Sequence, residues 1–455
     1  MDRIAAAARA PVDLAGLAVF RMMFGVVMLV DFARYWIAGW IDLYYVTPAI
    51  TFGYPWFEWV EPMPRVGMYV LFAVLMIASV AMALGFVYRG AAAVLAIGHG
   101  YVFLLAATHY LNHAYLLELL LVLMVFLPAA DGLSIDAWRR PPRRRSYTPG
   151  WAPWLLRLQL GIVYIYGGIA KINWDWLAGE PIRGWLRGRA TRADGMAAEL
   201  LGSEWVVGLV VQGGLWFDLL IAPALLWRRT RILAVVVSSG FHLSNAWLFN
   251  IGVFPWFMLV ATTLFFEPNW PRRLPWIGPH IDRWLGPVPE PEDVPSNTTG
   301  RWTLRWVGLW LAVQLVLPLR HHVYPGNVAW TEEGHYFAWR MKLRSKSGSA
   351  RFVLRDRDTG DSWVVDPRAE LSPRQVRKMI GKPELILQYA HHLADRWQRE
   401  RDANVEVRAQ VHVSLNHRPR RPFIDSTVDL TQIEPSMWPA TWILPGPTEP
   451  VGRPR

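Results

Sequence analysis

The stretch LLRLQLGIVYIYGGIAKINWDWLAGEPI, residues 155–182, decides the class of this chain. Its first half is a block of apolar residues with neither the helical periodicity of a surface helix nor the alternation of a half-buried strand. Blocks of about 17–25 such residues can cross a bilayer, where each backbone group must be satisfied within the helix. Where the block ends, Lys171 stands behind Gly167 and Gly168 and ahead of a loop rich in tryptophan and carboxylates. A lysine at the end of a membrane helix ordinarily snorkels to the headgroups. An amine kept among apolar walls is instead disfavoured as an ammonium and becomes available as a base. The stretch itself leaves both readings open.

Similar blocks recur on either side. Nine candidate spans lie at roughly 15–33, 67–88, 91–108, 114–130, 154–171, 205–227, 232–249, 251–267 and 303–319, the first weakened by Arg21 at its centre. The expected fold is therefore mainly α, a polytopic bundle of about eight to nine spans. Tryptophan, abundant throughout, suits the membrane–water interface. The formal net charge of +11 comes mostly from arginines in the short loops between blocks, so topology explains it and no nucleic-acid partner is expected. The chain has no cysteine, which excludes disulfides, thiolate metal sites and a cysteine nucleophile. The N-terminal AGLAVFRMMFGVVMLVDF, with Arg21 inside it, does not read as a cleavable signal.

With a cytoplasmic N-terminus, the inner loops hold fifteen basic residues, among them Arg89, Arg139, Arg140, Arg228 and Arg272, against seven outside. That asymmetry fits the positive-inside rule, and nine spans would put the C-terminal region outside. A bacterial inner membrane is the expected location. After about residue 320 the character changes. RFVLRDRDTGDSWVVDP (351–367) alternates like two strands around a turn at 358–361. SPRQVRKMIGKPELILQYAHHLADRWQRER (372–401) reads as two helices with Ser372 as N-cap and Pro373 at the first helical position. VEVRAQVHVSLNHRP (405–419) alternates again, and the tail after about 434 looks irregular. The division expected is a transmembrane domain over 1–320 and an extracytoplasmic α+β domain over 321–455.

Polar side chains near membrane helices are costly, which makes them functional candidates. Four groups stand out: His109, Asn112 and His113 in HYLNH; Lys171; His242, Asn245 and Asn250; and Arg320, His321 and His322. Taken singly each has a plain explanation. His113 can cap a helix end, and His242 with Asn245 can hydrogen-bond a neighbouring helix. In the topology above, however, all four groups fall on the outer face, where the soluble domain is attached. His109 and His113 have the spacing of a helical ligand pair, but no HxxHH box of the di-iron oxygenase kind occurs.

The order of motifs resembles the vitamin K-dependent gamma-glutamyl carboxylases and their bacterial relatives. The resemblance is carried by AGLAVFRMMFG, GFVYRGAAAVLAIGHGYVFLLAATHYLNHAYL, LQLGIVYIYGGIAKINWDWLAGEPI, FHLSNAWLFNIGVFPWFML, LPLRHHVYPGNVAWTEEGHYFAWRMKLRSK and VSLNHRPRRPFIDSTVDL, and spans nearly the whole chain. It implies a membrane enzyme that oxygenates reduced vitamin K to its 2,3-epoxide with O2. The same enzymes couple this to removal of a γ-hydrogen from glutamate in a peptide or protein and to uptake of CO2, without a metal. On that resemblance Lys171 is the base and His113, beside Asn112, the second catalytic group. Tyr110, His242, Asn245 and His321 match polar positions of the substrate region. Trp330, Tyr336 and Trp339 are candidate walls on the glutamate side.

This chain departs from the animal enzymes in lacking cysteine and in having His335 before Tyr336. Two alternatives stay open: a quinol epoxidase that never carboxylates, and a non-catalytic membrane protein that binds a quinone or lipid.

Overall fold

The computed structural model describes residues 2–249, 251–289 and 300–448. Asn250 lies outside them. The long helices are α1 (Ala15–Ile37), α2 (Arg65–Leu84), α3 (Tyr88–Leu104), α4 (Asn112–Phe126), α5 (Trp151–Lys171), α6 (Glu204–Leu226), α7 (Arg231–Phe249), α8 (Phe254–Thr262) and α9 (Arg301–Val316). Each expected span falls on one of them. Only five segments among the described residues are both long and apolar enough to cross a membrane: α1, α2, α6, α7 and Arg301–Val323, the last being α9 with its continuation. The count of eight to nine spans is not reproduced on that measure. The helices α4 and α8 have 15 and 9 residues. Helix α5 is long enough but carries Arg157, Gln159 and Lys171.

Apolar side chains such as Val66, Ile77, Ile97 and Ile232 remain exposed on the outside of the bundle, while Phe20, Phe24, Phe72 and Leu120 fill its inside. Water would penalise that outer surface, whereas lipid tails do not. Helix pairs α1–α2, α3–α4 and α5–α6 pack along their lengths.

Arg21 does not break α1. Its guanidinium is fully buried and donates to the carbonyls of Ala129 (3.1 Å), Ala83 (3.3 Å) and Leu133 (2.7 Å). Those carbonyls belong to the last turn of α2 and to the turn after α4, where the helical ladder leaves oxygens without partners. Asp31, a carboxylate on the same helix, pairs with Arg34 at 3.2 Å. Arg157 repeats the device, donating to Leu264 O (2.6 Å) and Phe266 O (2.9 Å) beyond α8. Helix α9 is tied to α5 by Gln159, which accepts from Trp310 Nε1 (2.8 Å) and donates to Gln314 (3.3 Å).

The C-terminal part is an antiparallel sheet of β1 (Lys346–Asp356), β2 (Ser362–Val365), β3 (Val405–Leu415) and β4 (Arg421–Pro422), ordered β2-β1-β3-β4. β1 and β2 form the expected hairpin, Phe352 opposite Val365. Inward residues Phe352, Leu354, Val407, Ala409 and Val411 pack under α11 (Pro383–Arg401), which presents Leu385, Ile386, Tyr389 and Leu393. Alternation in the strands and helical spacing in α11 bring these faces together, each fully buried aliphatic contributing about 1.5–3 kcal/mol. α10 (Pro373–Ile380) starts on a capping box in which Ser372 and Gln375 bond each other's backbone N–H.

Replacing Arg21 by alanine removes three hydrogen bonds from buried carbonyls and leaves a cavity. We expect a loss of about 3 kcal/mol or more, read as a lower thermal midpoint of the purified protein. An unchanged midpoint would contradict this role.

Candidate functional site

Lys171 does not reach out to the headgroups. It ends α5 almost wholly buried, its Nζ in contact with the carboxylate of Asp218 and donating to Gly167 O at 3.2 Å. The face of Trp176 lies 5.2 Å from the nitrogen. Asp218 comes from the middle of α6 and is itself buried. Glycines permit the contact. A Cβ on Gly167 would stand 3.0 Å from Asp218 Oδ2, and one on Gly168 would stand 2.7 Å from Leu219. Small residues at such a crossing let two helix backbones approach closely.

Of the two readings open for this amine, the structure shows it buried, but not among apolar walls alone. A carboxylate faces it, and burying either charge without the other would be far costlier than burying both. Asp218 was legible as the lone ionisable residue within EWVVGLVVQGGLWFDLLIAPALL after the helix start.

A train of rings leads from this pair to His113. Phe217, next to Asp218, contacts the Tyr164 ring (5.8 Å) and the His242 ring (5.9 Å). His242 is buried on α7, with Nε2 3.0 Å from the Tyr164 hydroxyl and Nδ1 buried without a hydrogen-bond partner. Phe254, at the start of α8, lies 6.2 Å from the His242 ring and stacks on His113 at 5.1 Å. Asn245, one turn on from His242, is half-buried. The four polar groups therefore gather at one end of the bundle, as far as they are described. His109 packs on the Tyr44 ring at 4.3 Å, whereas His113 packs on Phe254. Among the described residues no three His, Cys, Asp or Glu side chains are grouped to hold a metal.

The segment 335–343 enters this end from the C-terminal part. Tyr110 accepts from Phe337 N (2.8 Å) and donates to Asn112 (3.0 Å). Trp339, with no exposed surface, stacks on Tyr115 at 4.9 Å. Met341 reaches Gly167, where a Cβ would meet its Cε at 3.0 Å. Tyr336 packs edge-on to Tyr110 (4.8 Å), accepts from Lys382 Nζ (2.8 Å) and donates to Glu384 (2.9 Å). Tyr336 also lines a cavity of about 350 Å³ with Tyr54, Arg320, Phe337, Glu384 and Trp438. His321 is half-buried, its Nδ1 2.8 Å from Pro318 O, and its backbone packs against Gly334. Trp330 is not gathered with the others. It is a core residue under the tail, bonded to Leu444 O (2.8 Å) and edge-on to Phe423.

The carboxylates of the loop after Lys171 are the seat of the C-terminal part. Asp175 takes a two-pronged contact from Arg418 (2.6 and 2.8 Å) and another from Asn416 (2.7 Å). Burial would raise its carboxyl, but these bonds hold it below the usual carboxylate range. Glu180 pairs with Arg183 (2.8 Å) and meets His417 (3.0 Å). Nearer the sheet, buried Glu332 is contacted by Arg344 and by Lys346 (2.9 Å). Burial opposes its charge, and the two cations overcome this and hold it well below the range of an ordinary glutamate. Burial lowers Lys346 to about 8 despite that partner.

Helical spans, a small antiparallel α+β unit docked on one end, and a buried lysine–carboxylate pair beneath it define an integral membrane protein whose polar site lies under its C-terminal part. The HTTM domain family matches residues 9–270, and the family described as vitamin K-dependent gamma-carboxylase, lumenal domain, matches residues 299–449. No solved structure matches the chain. The chain belongs to the vitamin K-dependent gamma-carboxylase family.

Because the folded state depresses Glu332, its contribution is present above the unfolded value of 4.5 and is lost as pH falls below it. Glu332→Gln should cost about 3 kcal/mol or more at neutral pH. The gap between the thermal midpoints of wild type and variant should narrow on acidification below pH 4.5. A gap independent of pH would contradict the assignment.

Proposed function

We propose that the chain is a membrane enzyme of the carboxylase type, oxygenating reduced vitamin K to its 2,3-epoxide and coupling this to carboxylation of glutamate in a peptide or protein. The observation that carries the reading is the Lys171–Asp218 pair, buried in a family member at the end of the bundle where His113, His242 and the C-terminal part meet. The residues present fit a flat aromatic diol. Phe217, Phe254 and Trp176 make the surroundings aromatic, while Lys171 and the unpartnered Nδ1 of His242 supply polar atoms among them.

Reaction of the bound naphthoquinol with O2 supplies the driving force that no side chain has, for removing a carbon-bound proton and letting CO2 add. Lys171 handles the proton of the diol at Nζ, and His113, steadied on Phe254, serves the glutamate step with Asn112 beside it. Tyr110, Tyr336 and Trp339 line the approach from the C-terminal part, with Asn245, His242 and His321 at its edge. Asn416 and Arg418 dock on Asp175, four residues beyond the buried Lys171, where the chemistry requires water to be kept out. In this reading the transmembrane domain ends near 320, the docked domain is extracytoplasmic, and the membrane is a bacterial inner membrane. The arginine distribution and the description of the matched lumenal domain support that orientation.

Purified protein given reduced vitamin K, O2, labelled bicarbonate and a glutamate peptide should form epoxide and fix label. Lys171→Ala should lose about 100-fold or more of both. Equal epoxide from both proteins would remove the mechanism, and epoxide without label would leave only the oxygenation.

A further inference from the structure

We propose that Asp218 is the residue on which the proton taken up at Lys171 comes to rest, Nζ acting as relay and as counter-charge. This rests on the reading of Lys171 given above and adds a second proton-carrying residue to it.

The contact between Nζ and the Asp218 carboxylate poses a difficulty for a lysine that works alone. An ammonium has no lone pair with which to take a proton. Removing its proton beforehand would leave a bare carboxylate among apolar helices, the state that a buried pair tolerates least. Helix α6 offers Asp218 no substitute. Leu219 and Met341 pack at the glycines that admit the lysine, and the Trp176 ring lies over its Nζ. Tyr164 and His242, whose rings both contact Phe217 beside Asp218, are bonded to each other. Neither is a cation that could replace Lys171.

Used as a couple, the two residues avoid that state. A ligand O–H bond breaks and an N–H bond forms at Nζ. In the same exchange another N–H bond of Lys171 breaks and an O–H bond forms on the Asp218 carboxylate. The nitrogen keeps its positive charge and faces the negative charge left on the ligand, while Asp218 becomes neutral. The net charge of the site is zero before and after, which is what a low-dielectric interior favours. No electrons move, and no other reactant is needed. The proton later leaves by the reverse route, through Nζ, once the product has gone.

The test uses the full-length protein with reduced vitamin K as probe. Without O2, the infrared difference spectrum on adding the probe should show a protonated carboxyl band that shifts in heavy water. The band should be absent in Asp218→Asn, measured on protein whose thermal unfolding shows it folded. With O2, Asp218→Asn should bind the probe within a few-fold of wild type yet form epoxide about 100-fold more slowly at neutral pH. It should regain rate as pH rises, because Lys171 must then shed its proton to solvent. Asp218→Glu, which keeps the carboxylate, should recover part of the rate. A wild type with no carboxyl band, or an Asp218→Asn variant as fast as wild type at neutral pH, would overturn the proposal. Wild-type protein that forms no epoxide at all would instead count against the preceding reading, with the band still reporting on Asp218.

Discussion

Two opposite charges buried between apolar helices, Lys171 and Asp218, set the condition that the rest of the molecule meets. Each alone would be expelled or neutralised in such a place. Together they are tolerated only while α5 and α6 stay in register and close contact. That requirement accounts for glycine at 167 and 168, where a side chain would strike Asp218 or Leu219. It also accounts for the cover above them. A pair open to water would lose its low-dielectric surroundings, and Trp176 and Met341 lie against it.

The two ends of the bundle solve different problems. At the end away from the C-terminal sheet, Arg21 and Arg157 spend buried guanidinium groups on main-chain oxygens beyond neighbouring helices, which fixes helix ends without a carboxylate. At the end where that sheet docks, charge meets charge. Asp175 and Glu180 follow the lysine by a few residues and are taken by Asn416, His417 and Arg418 from the far part of the chain. The tryptophan-rich loop behind Lys171 is thus a docking seat, and through it the position of the C-terminal part is transmitted to the helix that carries the amine.

Much of this was legible from residues alone. The blocks that became helices, the β1–β2 hairpin around its turn and the Ser372 cap were each marked by local signals that act over a few residues. Long-range partners were not. Asp218 reads as one polar letter in an apolar block, and nothing nearby points to a lysine 47 residues earlier in the chain. Arg21 looked like a defect in a span because its acceptors are carbonyls, which every residue has. Trp330 shared a segment with Tyr336 and Trp339, yet a few residues of loop turned it toward the tail instead. Five segments among the described residues meet both length and apolarity, fewer than the eight to nine expected, because apolarity alone does not fix helix length. Helix α4 stops where Leu127 becomes extended, and α8 tightens at Thr263 into a 3-10 turn that ends at the extended Phe266.

The most direct measurement of the central claim is a double-mutant cycle on stability, with Lys171→Met, Asp218→Leu and the two combined. If the pair is a mutually dependent buried unit, each single variant loses about 3–5 kcal/mol and the double variant loses much less than their sum. Losses that simply add would show two charges that do not depend on one another, and the account built on them would fall.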